Sequence, residues 1–152
     1  MYKRRWSSWI AAGCLAALAT VASAAETDSR QVVGDVVIYL GVLPGYMVRG
    51  HPPEHPESAM HGGVPAGESH VVVALFERTS GRRITNAVVE ASISGKHMER
   101  VRKPLESMAV AGALTYGNYF SLPGAGPYRI EVEVRLPADT KPVRATFHWA
   151  RS

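Results

Sequence analysis

From Tyr128 to Leu136 the chain reads YRIEVEVRL. Tyr128, Ile130, Val132 and Val134 fall on one side of an extended backbone, and Arg129, Glu131, Glu133 and Arg135 on the other. Side chains that alternate with period two separate onto opposite faces only in a strand. This segment therefore predicts a strand with one dry and one wet face, as antiparallel sheets allow. VRATFHWA repeats the pattern, setting Val143, Ala145, Phe147 and Trp149 against Arg144, Thr146 and His148.

The rest of the chain is compatible with the same architecture. Val32 to Leu43, VVGDVVIYLGVL, places Val36, Ile38, Leu40 and Val42 on one face. Ser69 to Glu77, SHVVVALFE, is continuously apolar, as in a strand covered on both sides. RTSGRR turns the chain into ITNAVVEASIS, where Ala87, Val89, Ala91 and Ile93 alternate, which predicts a hairpin between these two runs. GKHMERVRKPLESMAV is less regular: Gly95 breaks the pattern, Pro104 excludes a central ladder position, and a short strand or turn is expected. LTYGNYFSL, from Leu114, is a further strand. About seven strands ten or so residues apart, with no amphipathic helix and no repeat, predict an all-β fold, an immunoglobulin-like antiparallel β-sandwich. Tyr128, just past a Gly-Pro step, suits the tyrosine corner of such sandwiches.

The first residues belong to something else. Lys3, Arg4 and Arg5 precede an apolar run from Trp9 to Val21 and small residues at Ala22 and Ala24, the layout of a secretory signal peptide cleaved after Ala24. The run is short for a membrane-spanning helix. Cys14, in AAGC, offers a weak lipoprotein signal, disfavoured by Ala11 three residues earlier and by the downstream cleavage site. The expected organisation is a signal peptide over 1–24, a disordered leader over 25–31 and one domain over 32–152, located in the periplasm. Cleavage takes the formal net charge from +4 to +1 and removes the only cysteine, so neither a disulfide nor a thiolate metal site is available. The remaining basic residues are scattered, which argues against a nucleic-acid partner.

Catalytic motifs are missing from the sequence: no cysteine nucleophile survives cleavage, and no serine elbow, phosphate-cradling glycine loop or paired carboxylates occur, so no enzyme is expected. Metal binding has more support. The Pro-rich stretch GHPPEHPESAMHGG holds His51, His55, Met60 and His61, while His70, His97, His148, Met47, Met98 and Met108 lie elsewhere. Imidazole suits copper, zinc, iron and nickel, and thioether sulfur narrows the choice toward Cu(I). An exported protein without cysteine must hold soft metal with these groups, or else each is an ordinary loop or core residue. Two other classes are open: a scaffold module whose Pro/His loop docks an envelope protein, and a pH-responsive binder built on histidine protonation.

LESMAVAGALTYGNYFSLPGAGPYRIEVEVRLP, containing Met108 to Leu136, resembles the C-terminal half of the periplasmic iron/copper-binding proteins that accompany bacterial iron permeases. The resemblance implies an immunoglobulin-like sandwich, a homodimer, a copper or iron ion as ligand, and an envelope permease or metalloprotein acceptor as partner. In that family a methionine and, seven residues on, a histidine just ahead of Tyr-Gly hold the metal, with a late histidine and an early acidic residue. Here the methionine falls on Met108, Tyr-Gly on Tyr116 and Gly117, and the late histidine on His148; the first histidine is replaced by Thr115. ALFERTSGRRITNAVVEASI is similar to small exported sandwich modules found beside copper-delivery proteins. The expected metal ligands are Met60, His61, His70, Met108 and His148, with His51 and His55 as a recruiting loop.

Overall fold

The computed structural model describes residues 29–45, 68–96, 98–110 and 112–151. The segment expected to be a signal peptide and the stretch carrying His51, His55, Met60 and His61 lie outside these residues, as does His97.

Among the described residues eight strands follow one another: β1 (Arg30–Val33), β2 (Val36–Pro44), β3 (Glu68–Glu77), β4 (Val88–Gly95), β5 (Met98–Val110), β6 (Ala113–Ser121), β7 (Tyr128–Arg135) and β8 (Val143–Trp149). The all-β, antiparallel expectation holds, but the strands form one sheet, in the order β1-β2-β3-β6-β5-β4-β7-β8, rather than two stacked sheets of about seven strands. Two local features account for the difference. Val32 to Leu43 is broken into two strands by Gly34-Asp35, a two-residue turn with Gly34 at a φ of 59°. Arg30 and Gln31, expected in the leader, pair with Tyr39 and Ile38 in the resulting hairpin.

The segment around Pro104 is a thirteen-residue strand instead of a turn. Met98 to Leu105 of β5 pairs with β4, and Glu106 to Val110 pairs with β6. Pro104 sits at this changeover, where its missing N–H costs no ladder bond toward β6, and its carbonyl accepts a 2.7 Å hydrogen bond from the Asn118 side chain. The strand thus carries the ladder around a corner. At the other end of the order, the Gln31 amide donates a 2.6 Å bond to the Thr146 carbonyl and draws β1 against β8, leaving the sheet nearly closed like a barrel.

The expected hairpin between β3 and β4 does not form. β3 pairs with β2 and β6, while β4 pairs with β5 and β7. The turn instead makes one bridge, Phe76 to Arg83, before the chain crosses to the other half of the sheet. Alternation was nonetheless a sound guide to facing: Val71, Val73 and Leu75, Val89, Ala91 and Ile93, and Ile130, Val132 and Val134 all join one core with Phe120 and Phe147. Tyr128 is buried and its hydroxyl donates to the Pro123 carbonyl, the bond a tyrosine corner makes.

The two halves of the sheet differ on the outside. Over β4, β5, β7 and β8 the outer face is an ion-pair lattice: Arg102 contacts Glu90 at 2.5 Å, while Glu133 accepts from Arg135 at 2.6 Å and Arg144 at 2.9 Å. The bond from Arg102 holds the Glu90 carboxyl below its ordinary 4.5, and those from Arg135 and then Arg144 do the same for Glu133. A lowered folded pKa contributes stability above the unfolded value, about 4.3, that is lost as pH falls through the folded one. Thermal unfolding followed by circular dichroism should therefore show a melting temperature that drops on acidification below about pH 4.5. Glu133→Gln should make that acid-side drop smaller.

Candidate metal centre

On the outer face of β3, β6 and the second half of β5, a patch of His70, Met108, Thr115, Gly117 and Tyr119 is buried. Because Val71, Val73 and Leu75 point into the core, His70 must point outward, yet it is only 1% exposed. Tyr119, its register partner on β6, lies flat against it, with ring centroids 4.6 Å apart and planes 26° from parallel. Stacking fixes the plane of the imidazole, and so the direction of its nitrogens.

Met108 reaches the same spot from the other side. It is cross-strand from Thr115, buried like it, and outside the core cluster. The Thr115 hydroxyl donates to the Met108 carbonyl at 3.4 Å, tying this end of the β5–β6 ladder. Between His70 and Met108 on the β6 side lies Gly117. A Cβ placed on Gly117 would stand 2.7 Å from His70 Nε2 and 2.9 Å from Met108 Sδ. Real Cβ atoms do not come so close to either group, so the two side chains pack side by side over residue 117, in room that only a glycine leaves them. The sequence hint was a glycine inside a strand pattern, which marks close approach of something to the backbone.

Of the expected ligands, His70 and Met108 lie beside one another at Gly117, and His148 lies elsewhere. It is exposed on β8, directly opposite Arg129, and points away from the core that receives its neighbour Phe147. Three strand spacings separate β8 from β3 by way of β1 and β2, and likewise from β5 by way of β7 and β4, roughly 14 Å along the sheet. A late histidine on the wet face of an edge strand has no route to the Gly117 space. Among the described residues no three of His, Cys, Asp and Glu gather into a metal-binding group. A metal at Gly117 would thus begin from one nitrogen and one sulfur, a soft, low-coordinate pair suited to Cu(I).

The loop whose histidines and methionine were expected to ligate joins β2 to β3. Its anchors, Pro44 and Ser69, are register partners, and Leu43 pairs with His70 itself. Sequence reasoning passed over Gly117 as a structural element and Tyr119 as the ring that orients His70.

A nearly closed antiparallel sheet with a buried histidine–methionine pair on its outer side is the class these features define. No protein-family model matches the chain, and no curated protein matches its sequence. Among solved structures the fold is similar to that of "as isolated" FetP from uropathogenic Escherichia coli strain F11, with a TM-score of 0.63, 13% identity and coverage of 82% of this chain and 93% of that one. It is similar to the copper-reconstituted P19 protein from Campylobacter jejuni, with a TM-score of 0.65, 11% identity and coverage of 83% and 94%. A DUF4426 family protein from Pseudomonas aeruginosa matches at a TM-score of 0.59, 18% identity, 80% and 90% coverage. At these identities the likeness establishes the fold.

Proposed function

We propose that the protein is an exported, periplasmic metal-handling protein that holds copper, with iron as a second candidate, for buffering or delivery and without catalysis. The observation that carries this reading is the approach of His70 Nε2 and Met108 Sδ to one point over Gly117, 2.7 and 2.9 Å from where its Cβ would stand. The copper-bound states of FetP and P19, whose fold is similar, support the choice of metal. Soft, exchangeable ligands retain Cu(I) and still release it to an acceptor, so the natural partner is an envelope metalloprotein or permease.

The test is titration of the purified protein with Ag(I), a redox-inert mimic of Cu(I), against a competing chelator. One tight equivalent is expected. Met108→Leu, which conserves volume and so the fold, should weaken it by tenfold or more, and His70→Ala should abolish it. Binding no tighter than that of free histidine would leave the second reading, an interaction or scaffold module. Its support is the exposure of Leu43, which pairs with His70, and of Tyr39 farther along the same outward face of β2.

A further inference from the structure

On the outer side of the sheet, at the far end of β2 and β3 from His70, a recess of about 490 Å³ opens beside Tyr39 and Phe76. Its lining includes Val37, which is buried yet stands outside the core cluster, because Val36, Ile38 and Leu40 take the inward positions of β2. The two rings meet edge to face with centroids 5.6 Å apart. Tyr39 is 40% exposed, so this apolar surface meets solvent.

Cations frame the rings. The Arg83 guanidinium lies 4.5 Å from the centre of the Phe76 ring and donates a 2.9 Å bond to the Leu114 carbonyl, which holds it in place. Arg30 stands 5.8 Å from the centre of Tyr39, with its Nε donating to the hydroxyl at 3.2 Å. Arg78 lines the recess with an exposed side chain, and its backbone N–H is fixed on the Asp35 carbonyl at 2.8 Å. Two acids stand at this end of the sheet, and both are engaged: Glu77 accepts from Arg82 at 2.5 Å and from Ser80 at 2.6 Å, and Asp35 from Thr79 at 3.0 Å. Arg78 and Arg83 form no ion pair among the described residues, whereas Arg100, Arg102, Arg129, Arg135 and Arg144 on the other half of the sheet are each matched to a glutamate.

We infer that this recess binds a small organic anion with a flat apolar body, an aromatic carboxylate or sulfonate. A guanidinium meets such an oxyanion with two parallel N–H bonds, and the rings of Tyr39 and Phe76 receive the flat body by stacking or edge contact. The volume falls within the roughly 300–1,000 Å³ of small-molecule sites. A neutral apolar ligand would leave the unpaired cations unanswered, and a bare inorganic anion would leave the rings wet. Phe76 is six residues along β3 from His70, roughly 20 Å, so occupancy of the recess is independent of any metal there.

The test is fluorescence titration of the purified protein with anilinonaphthalene sulfonate and with phenylnaphthylamine, its uncharged counterpart. One equivalent of the sulfonate should bind with a Kd on the order of 10 μM. Arg78→Gln should weaken it about fivefold or more, and because Arg78 is exposed this substitution leaves the fold alone. Tyr39→Ala should weaken it about tenfold. The uncharged probe should bind about fivefold more weakly than the sulfonate and be indifferent to Arg78→Gln, and Leu43→Ser, on the same face of β2 but outside the recess, should match the parent for both. Arg78→Gln binding the sulfonate like the parent, an uncharged probe bound as tightly as the charged one, or an equal loss in Leu43→Ser would each overturn the assignment. So would sedimentation showing a dimer that Tyr39→Ala dissociates, because a second copy would then fill the recess.

Discussion

Gly117→Ala is expected to remove the His70-dependent Ag(I) equivalent, or weaken it by tenfold or more, through the addition of one methyl group. The new Cβ would occupy the point 2.7 Å from His70 Nε2 and 2.9 Å from Met108 Sδ. Met108 can yield, because a thioether on three rotatable bonds repacks easily. His70 is 1% exposed and held flat against Tyr119, so its ring cannot step aside without losing that contact. The donors are pushed apart, and the overpacking costs about 1–3 kcal/mol of stability. Gly41→Ala supplies the comparison. It lies on the outward face of the same half of the sheet with nothing near its would-be Cβ, so neither stability nor binding should change appreciably. A Gly117→Ala protein that still binds Ag(I) like the parent would show that the two donors do not share the ion.

On β8 the effect of substitution should change completely between one residue and the next. Phe147 is fully buried, paired with Ile130, and among the largest side chains in the core. Phe147→Ala should cost about 3–5 kcal/mol, from lost transfer energy and from the cavity left in a barrel whose other walls are fixed by their own ladders. Set against a typical total of about 5–15 kcal/mol, that is a fall in melting temperature on the order of 10 °C or more. His148→Ala, one position on, points to solvent and should change stability by no more than about 0.5 kcal/mol. It should also leave Ag(I) affinity unchanged. Thermal melts of both variants and one titration check all three statements; loss of the ion in His148→Ala would contradict the placement of that residue on a different side of the molecule.

These contrasts show which parts of the fold were legible in advance. Each strand's inward and outward faces could be read directly from YRIEVEVRL, VRATFHWA and ITNAVVEASIS, because facing depends on neighbours two residues apart and on burial alone. Partner choice could not. The turn after Glu77 looks like a hairpin from within, but the ladder that Val71 to Val73 join is contributed by β6, some forty-five residues downstream. Pro104 read as a breaker, and its neutral position at the β4-to-β6 changeover is a property of two ladders at once. The Gly34-Asp35 turn was missed, because Val32 to Leu43 was read as one run, and periodicity on either side gives no sign that the chain reverses there.

By itself the sequence determined that this is an all-β, antiparallel chain with one apolar face per strand, and that any soft-metal site without Cys14, the one cysteine, must use histidine and methionine. Both follow from residue type and short-range periodicity. Only the tertiary structure decided which of those residues meet: it joined His70 on β3 to Met108 on β5 across Gly117 on β6, and it sent His148 to the far edge strand. The physical reason is that a sheet sets which face a side chain takes through its own strand, but sets its neighbours through strand order, which is fixed by long-range pairing and by the packing of a single shared core.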